Sequence, residues 1–218
     1  MPSANTGSLR DRRRAELLTE IQQTAYRLFA ERGFDAVTTE DIAAASGISI
    51  STYFRHAPTK EGLLIDPVRE AVSQIVDSYS SRPAEETAVE ALIQLFVTHA
   101  RDADNVDNLQ TWQRAVASAP HLLSKSMLVS ESDHRKFVDL VAARMGVDAA
   151  RGAAAAVGAD IRPALLVHSS LATVKFVLDL WLSPDAVLAT PFHVQLEEAL
   201  RMTLGGFEQS PAAGAKPR

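Results

Sequence analysis

The sequence predicts an all-α protein of about nine or ten helices. Three observations predict this class. Apolar residues recur at helical spacing along most of the chain, no segment shows convincing period-two alternation or a hairpin signal, and Ser, Thr, Gly and Pro fall where helices would start and stop.

The first helix is read from Arg12 to Arg32, where Leu18, Ile21, Ala25, Leu28 and Phe29 share a face and Gly33 supplies the C-terminal stop. Thr38 followed by Thr39, Glu40 and Asp41 has the form of a capping box. The helix it opens is short, because Ser46-Gly47 ends it. Ser49 caps a second short helix through about His56, and Pro58 closes that one. Thr59 caps a longer helix containing Leu63, Leu64, Val68, Val72, Ile75 and Val76. Pro67 lies inside it, frees the carbonyl of Leu63 and should kink or break the helix. A hinge is one reading of that proline; an adapted bend without switching is the plainer one.

After the junction SSRPAEE, amphipathic helices are expected at Ala88–Ala100, Asn108–Ala117 and Ser132–Met145. The alanine-rich stretch 149–159 has no clear assignment. A long apolar helix from Arg162 to Leu182 and a last helix from Phe192 to Phe207 complete the chain. Residues 1–9 are expected as a disordered arm and 209–218 as a disordered tail, with domains at 10–60 and 61–208.

Composition narrows the function. The chain has 218 residues, 46% of them hydrophobic, enough for a sizeable core. It has no cysteine, so disulfides and thiolate metal sites are excluded, and a cytoplasmic location is the simplest expectation. No apolar run follows the N-terminal charges and none reaches about 18 residues, so neither a signal peptide nor a membrane span is expected. The net charge is −5, yet Arg10, Arg12, Arg13 and Arg14 concentrate positive charge near the N-terminus. The histidines, at 56, 99, 121, 134, 168 and 193, form no H-E-x-x-H spacing, and there is no phosphate-binding glycine loop or nucleophile elbow. An enzyme is therefore not expected, nor is a metal or a cofactor.

The two short helices have the outline of a helix-turn-helix. Ala43 is small enough for the crossing, Gly47 suits the turn, and Ile42, Ile48 and Tyr53 can wedge the pair together. Ser49, Ile50, Ser51, Thr52, Phe54 and Arg55 are left to face outward, and the second helix would enter a major groove. Lys60 opposes the dipole of the helix it begins, which makes sense if it and the free amides hold a phosphate. The alternative is a helical hairpin inside a protein-interaction module, with Lys60 solvated.

The segments AYRLFAERGFDAVTTEDIAAASGIS and STYFRHAPTKEGLL resemble the DNA-binding domain of the tetracycline-repressor (TetR) family, over about residues 15–64. The resemblance implies an N-terminal three-helix DNA-binding domain followed by a helical bundle that binds a small ligand and dimerises. It implies double-stranded operator DNA, an unidentified small-molecule effector and a second copy of the chain as partners. The family works mostly as homodimeric repressors released by ligand, with an activator or a ligand-independent regulator as alternatives. It assigns Thr39, His56 and Lys60 to the DNA backbone and Ser49, Ile50, Ser51 and Thr52 to the groove, beside the capping Thr38. Position 54 normally carries a tyrosine, and Phe54 lacks its hydroxyl. Tyr53 occupies a position the family buries, Ala57 replaces a bulky aromatic, and Ile50 replaces a frequently polar residue and suits a thymine methyl.

Beside that motif, the basic run Arg10–Arg14, including Arg13, is expected to reach phosphates or a minor groove. The last two helices are the expected dimer surface, with Leu171, Val174, Leu178, Trp181, Phe192, Leu196, Leu200 and Leu204 as its apolar candidates, some of which are expected to be intrachain core instead. Phe96, His99, Trp112, Arg114 and His168 are the expected pocket liners, combining an apolar wall with a few polar groups.

Overall fold

The computed structural model describes residues 9–103, 109–125, 129–148, 160–183 and 190–208. The expectations for 1–8, 149–159 and 209–218 lie outside the described residues. Among the described residues there are ten α-helices, one 3-10 turn and no β-strand, so the all-α class holds. They fall into two compact units, one drawn from 1–70 and 107–128, the other from 71–106 and 129–218.

The first unit begins with α1, Leu9–Arg32. This helix starts earlier than expected and takes up Arg10–Arg14 itself, so the basic run is an exposed helical end rather than an arm before the helix. Its inner face, Ile21, Ala25, Leu28 and Phe29, is buried. The Gly33 amide closes α1 on the Phe29 carbonyl at 2.9 Å, with φ +84°. Next come α2, Thr39–Ala45, and α3, Ile50–His56, then α4, Lys60–Ser78, which starts in this unit. The Gly62 amide donates to the capping Thr59 hydroxyl at 3.1 Å.

Two further helices belong to the first unit: α6, Leu109–Ala117, and α7, Pro120–Lys125. α6 packs along α1, burying Ala115 and Val116, and the Phe34 amide donates to the Ser118 hydroxyl at 3.1 Å. This grouping differs from the expected boundary at residues 60 and 61, which assigned 108–117 to the second domain. The short α7 has no counterpart in the sequence reading.

The second unit holds the rest of α4 from Ala71, a 3-10 turn at Tyr79–Ser81, α5 (Ala88–Ala103), α8 (Glu131–Met145), α9 (Arg162–Trp181) and α10 (Phe192–Glu208). α10 packs against both α5 and α9, and α8 against α9. The core is built from Leu92, Phe96, Phe137, Val141, Leu166, Val167 and the α10 stripe Leu196, Leu200 and Leu204. Arg144 ties the junction after the 3-10 turn by donating to the carbonyls of Arg82, Pro83 and Glu86, with its guanidinium 5.2 Å from the centre of the Tyr79 ring. Arg201 joins α10 to α5 through Glu90, whose carboxyl is held below its usual range by hydrogen bonds from Arg201 and Gln94.

Two expectations are corrected here. α9 is long and apolar enough, by length and composition, to cross a membrane, contrary to the sequence reading. In this fold its inner face packs against α8 and α10, and it carries buried Ser170 and Thr173 with their hydroxyls bonded to carbonyls one turn back. Leu196, Leu200 and Leu204 are the chain's own core rather than dimer surface, because α10 turns that stripe onto α5 and α9.

Candidate nucleic-acid interface

The pair α2–α3 is built by local chemistry. The Asp41 amide donates to the Thr38 hydroxyl at 3.1 Å, and the Thr38 amide donates back to the Asp41 carboxylate at 3.0 Å. Hydrogen bonds from the Thr38 amide and hydroxyl, helped by the Arg32 charge, hold the Asp41 carboxyl below its usual range. Gly47 turns the chain at φ +68°, a region where a side chain would be strained. The Ile48 amide then reaches the Ala43 carbonyl at 3.0 Å, and Ala43 and Ile42 are buried at the crossing.

On α3 the adjacent aromatics separate as the sequence predicts. Tyr53 is 0% exposed, whereas Phe54 is 48% exposed and meets the Tyr53 ring edge-on with centroids 5.4 Å apart. The Tyr53 hydroxyl has no hydrogen-bond partner among the described residues, and burial, with smaller effects of Glu61 and Glu40, pushes its pKa up to about 12. Ala57 is buried beneath the helix. Ile50, one turn before Phe54, is 37% exposed. Ser51 and Arg55 are exposed and Thr52 is half-buried.

The hydroxyls along this edge have local jobs. The Ser49 Oγ accepts from the Thr52 amide at 3.2 Å and lies 3.0 Å from the Thr52 hydroxyl. The Thr38 hydroxyl is held in its capping box, and the Thr39 hydroxyl donates to Glu40 at 3.0 Å. Arg13 and Arg14 are exposed on α1. His56 is half-buried at the end of α3. Burial, then the charges of Arg55 and Arg14, lower its pKa, so its imidazole is neutral at pH 7. α1 and α3 also pack against each other, a proximity sequence spacing did not reveal.

Lys60 is placed differently from expectation. Its ammonium donates to the carbonyls of Phe34 at 2.9 Å and Val37 at 3.0 Å and sits 4.3 Å from the centre of the Phe34 ring. The cation closes the α1–α2 corner, where two carbonyls beyond the α1 stop need donors. This internal role replaces the free phosphate-seeking lysine of the sequence reading.

Pro67 does not break α4, which runs continuously from Lys60 to Ser78. The carbonyl of Leu63, deprived of its usual donor by the proline, instead accepts from the Tyr26 hydroxyl of α1 at 3.0 Å. Burial pushes the Tyr26 pKa up to about 12, so it donates as a neutral phenol. Sequence reasoning missed Tyr26. The freed carbonyl was visible from Pro67, but the donor lies 37 residues away from it on another helix.

The expected pocket liners are divided between the units. Trp112 and Arg114 lie on α6 in the first; Phe96, His99 and His168 lie in the second. The division arises because α6 packs on α1. Arg114 lines a cavity of about 500 Å³ with Gln23, Tyr26, Arg27 and Thr111. Phe96 is core, its ring 6.1 Å from that of Phe137. His99 Nδ1 lies 2.8 Å from the Leu95 carbonyl, so that nitrogen carries the proton. His168 Nδ1 lies 3.3 Å from His134 Nε2, and burial followed by His168 lowers the His134 pKa.

Of the expected dimer residues, Leu171, Val174 and Phe192 pack partly against the core, and Leu178 is half-buried. Half-buried Trp181 lies against Phe192 with ring centroids 5.0 Å apart. The large apolar side chains that face outward are others: Leu165, Phe176 and Leu180 on α9, and Val194 and Met202 on α10.

Residues 21–66, which contain this whole unit of caps, turn and outward-facing helix, match the family model described as bacterial regulatory proteins, tetR family. Over those residues the chain carries a tetR-family DNA-binding domain. The matches support a DNA-binding transcriptional regulator, and the relatives they name are regulators rather than enzymes. The chain is 27% identical over 184 residues to the transcriptional regulator TcmR of Streptomyces glaucescens, covering 81% of this chain and 78% of that protein. It is 32% identical over 102 residues to the transcriptional repressor KstR2 of Rhodococcus jostii, covering 47% of this chain and 48% of that one. Among solved structures, it superposes on NalD of Pseudomonas aeruginosa, the secondary repressor of a multidrug efflux pump, with TM-score 0.56 and 17% identity over 88% of this chain and 95% of that one. The TetR-family repressor FadR of Thermus thermophilus, solved with lauroyl-CoA, gives TM-score 0.53 and 21% identity over 92% of this chain and 99% of that one. Members of the TetR family bind DNA and small-molecule ligands.

Proposed function

We propose that this chain is a homodimeric, cytoplasmic repressor that reads a two-fold symmetric operator through α3 and leaves it when a small molecule binds. The observation that supports this most is the outer face of α3: Ile50, Ser51, Phe54 and Arg55 point to solvent while Tyr53 anchors the helix from behind. Arg13, Thr39, Arg55 and His56 are the backbone contacts in this reading, with Ser49, Thr52 and Thr38 fixing the helix starts that present them. The repressor sense has support from KstR2, a repressor by name, to which part of the chain is 32% identical.

The dimer surface in this reading is the outward stripe Leu165, Phe176 and Leu180 on α9 with Val194 and Met202 on α10. Phe176 and Met202 are 63% and 76% exposed, an unusual cost for side chains that stay in water. In this reading the operator is an inverted repeat whose half-sites lie about 34–36 Å apart, one copy of α3 on each.

The test is selection of binding sites from random duplex DNA by the purified full chain, followed by a small-molecule screen for release. The reading expects an inverted repeat with half-sites one helical turn or a multiple apart. Recovery of no consensus, or of single asymmetric sites bound by a monomer, would overturn it.

A further inference from the structure

We infer that α3 reads the 5-methyl group of pyrimidines in the major groove through a contiguous apolar patch made by Ile50 and Phe54. This rests on the proposed function and sharpens it, because it assigns what the helix recognises. Among the described residues of the first unit, the large hydrophobic side chains exposed to solvent are Leu9, at the start of α1, and these two. Ile50 and Phe54 are four residues apart on one helix, so they lie one above the other on the same face. The Phe54 ring is held edge-on by buried Tyr53, which fixes the direction of the patch.

The polar groups beside the patch strengthen the assignment. The Ser49 and Thr52 hydroxyls bond to each other, and that of Ser49 also accepts from the Thr52 amide that begins α3, so they are already engaged. The exposed polar side chains left on α3 are Ser51 and Arg55. Phe54 has no hydroxyl to offer a phosphate. An apolar pair in a groove otherwise lined by hydrogen-bonding edges finds one apolar feature there, the C5 methyl. Thymine carries that methyl, and 5-methylcytosine presents the same group.

The test uses the full chain and its selected operator at one fixed salt concentration. Uracil replaces thymine at one half-site position at a time, removing the methyl and leaving the hydrogen-bonding edge intact. Burying one such carbon is worth about a fourfold change in affinity. The expected result is a loss of about that size at one or two positions per half-site, and a matching gain when 5-methylcytosine replaces cytosine at the same step. Ile50→Ser and Phe54→Ser should bind thymine and uracil operators alike at those positions. Tight binding with no response to uracil at any position overturns the inference while leaving the proposed function standing. A gain from thymine that 5-methylcytosine does not reproduce also overturns it. Failure to bind any duplex overturns the proposed function and this inference with it.

Discussion

Tyr26 and Pro67 should be energetically coupled although no side-chain contact between them is needed. The proline removes the amide hydrogen that Leu63 would accept, and the Tyr26 hydroxyl takes its place at 3.0 Å. Leu63 is 2% exposed, so water does not readily replace the phenol. Tyr26→Phe leaves a carbonyl unsatisfied and should destabilise the first unit by about 1–3 kcal/mol. Pro67→Ala returns an amide to the helix, and Tyr26→Phe in that background should cost about 0.5 kcal/mol or less, since the carbonyl is again served. The coupling energy of the cycle is then about 1–2 kcal/mol. The assay is urea unfolding of the four proteins at one concentration, with hydrogen exchange of α4 amides to localise the effect. Additivity within about 0.5 kcal/mol would refute the reasoning. Operator affinity measured on the same four proteins would show whether this link also matters for DNA binding.

Three further outcomes follow from named contacts. Lys60→Met should lower stability by about 1–2 kcal/mol, through two lost charge-assisted bonds to Phe34 and Val37, while the salt dependence of DNA binding stays unchanged. A salt slope smaller by about 1 with no loss of stability would return Lys60 to the phosphate role. Phe176→Glu should convert dimer to monomer in sedimentation without unfolding the chain, whereas Leu200→Ala should cost about 2–5 kcal/mol of stability as a core cavity. An intact Phe176→Glu dimer would move the interface elsewhere. The His134 pKa is lowered below 6.5 in the folded chain, so between that folded value and 6.5 the unfolded chain binds more protons. Stability should therefore fall as pH drops below 6.5, and His168→Asn should lessen the fall; denaturation midpoints at pH 7.5 and 5.5 check this.

The helix-turn-helix was legible because everything that builds it is local. Thr38, Asp41, Gly47 and Ser49 act within a few residues of themselves, and the inward Tyr53 and outward Phe54 follow from helical period alone. Lys60 was misread because the macrodipole argument considers only its own helix, while its partners are carbonyls 23 and 26 residues earlier. The allegiance of α6 was not legible either, since an amphipathic stripe announces a buried face without naming what covers it. On α9, apolar residues lie on most faces, so periodicity could not sort core-facing Leu166 and Val177 from outward Leu165 and Phe176. On α10 the period was clear, and the error lay in assigning its inner stripe of Leu196, Leu200 and Leu204 to a second copy of the chain. α7 escaped notice because six residues beginning with proline carry too little pattern to stand out.

The central claim is that the outer face of α3 and the basic end of α1 hold duplex DNA. It is tested most directly by affinity for the selected operator as a function of salt. In the proposed dimer Arg13 and Arg55 of each subunit would neutralise four phosphates in all, which at about −0.9 per phosphate predicts a log–log slope of about −3.6 or steeper. Arg55→Ala in both subunits should make that slope shallower by about 2. A slope near zero, or one unmoved by Arg55→Ala, would contradict the account.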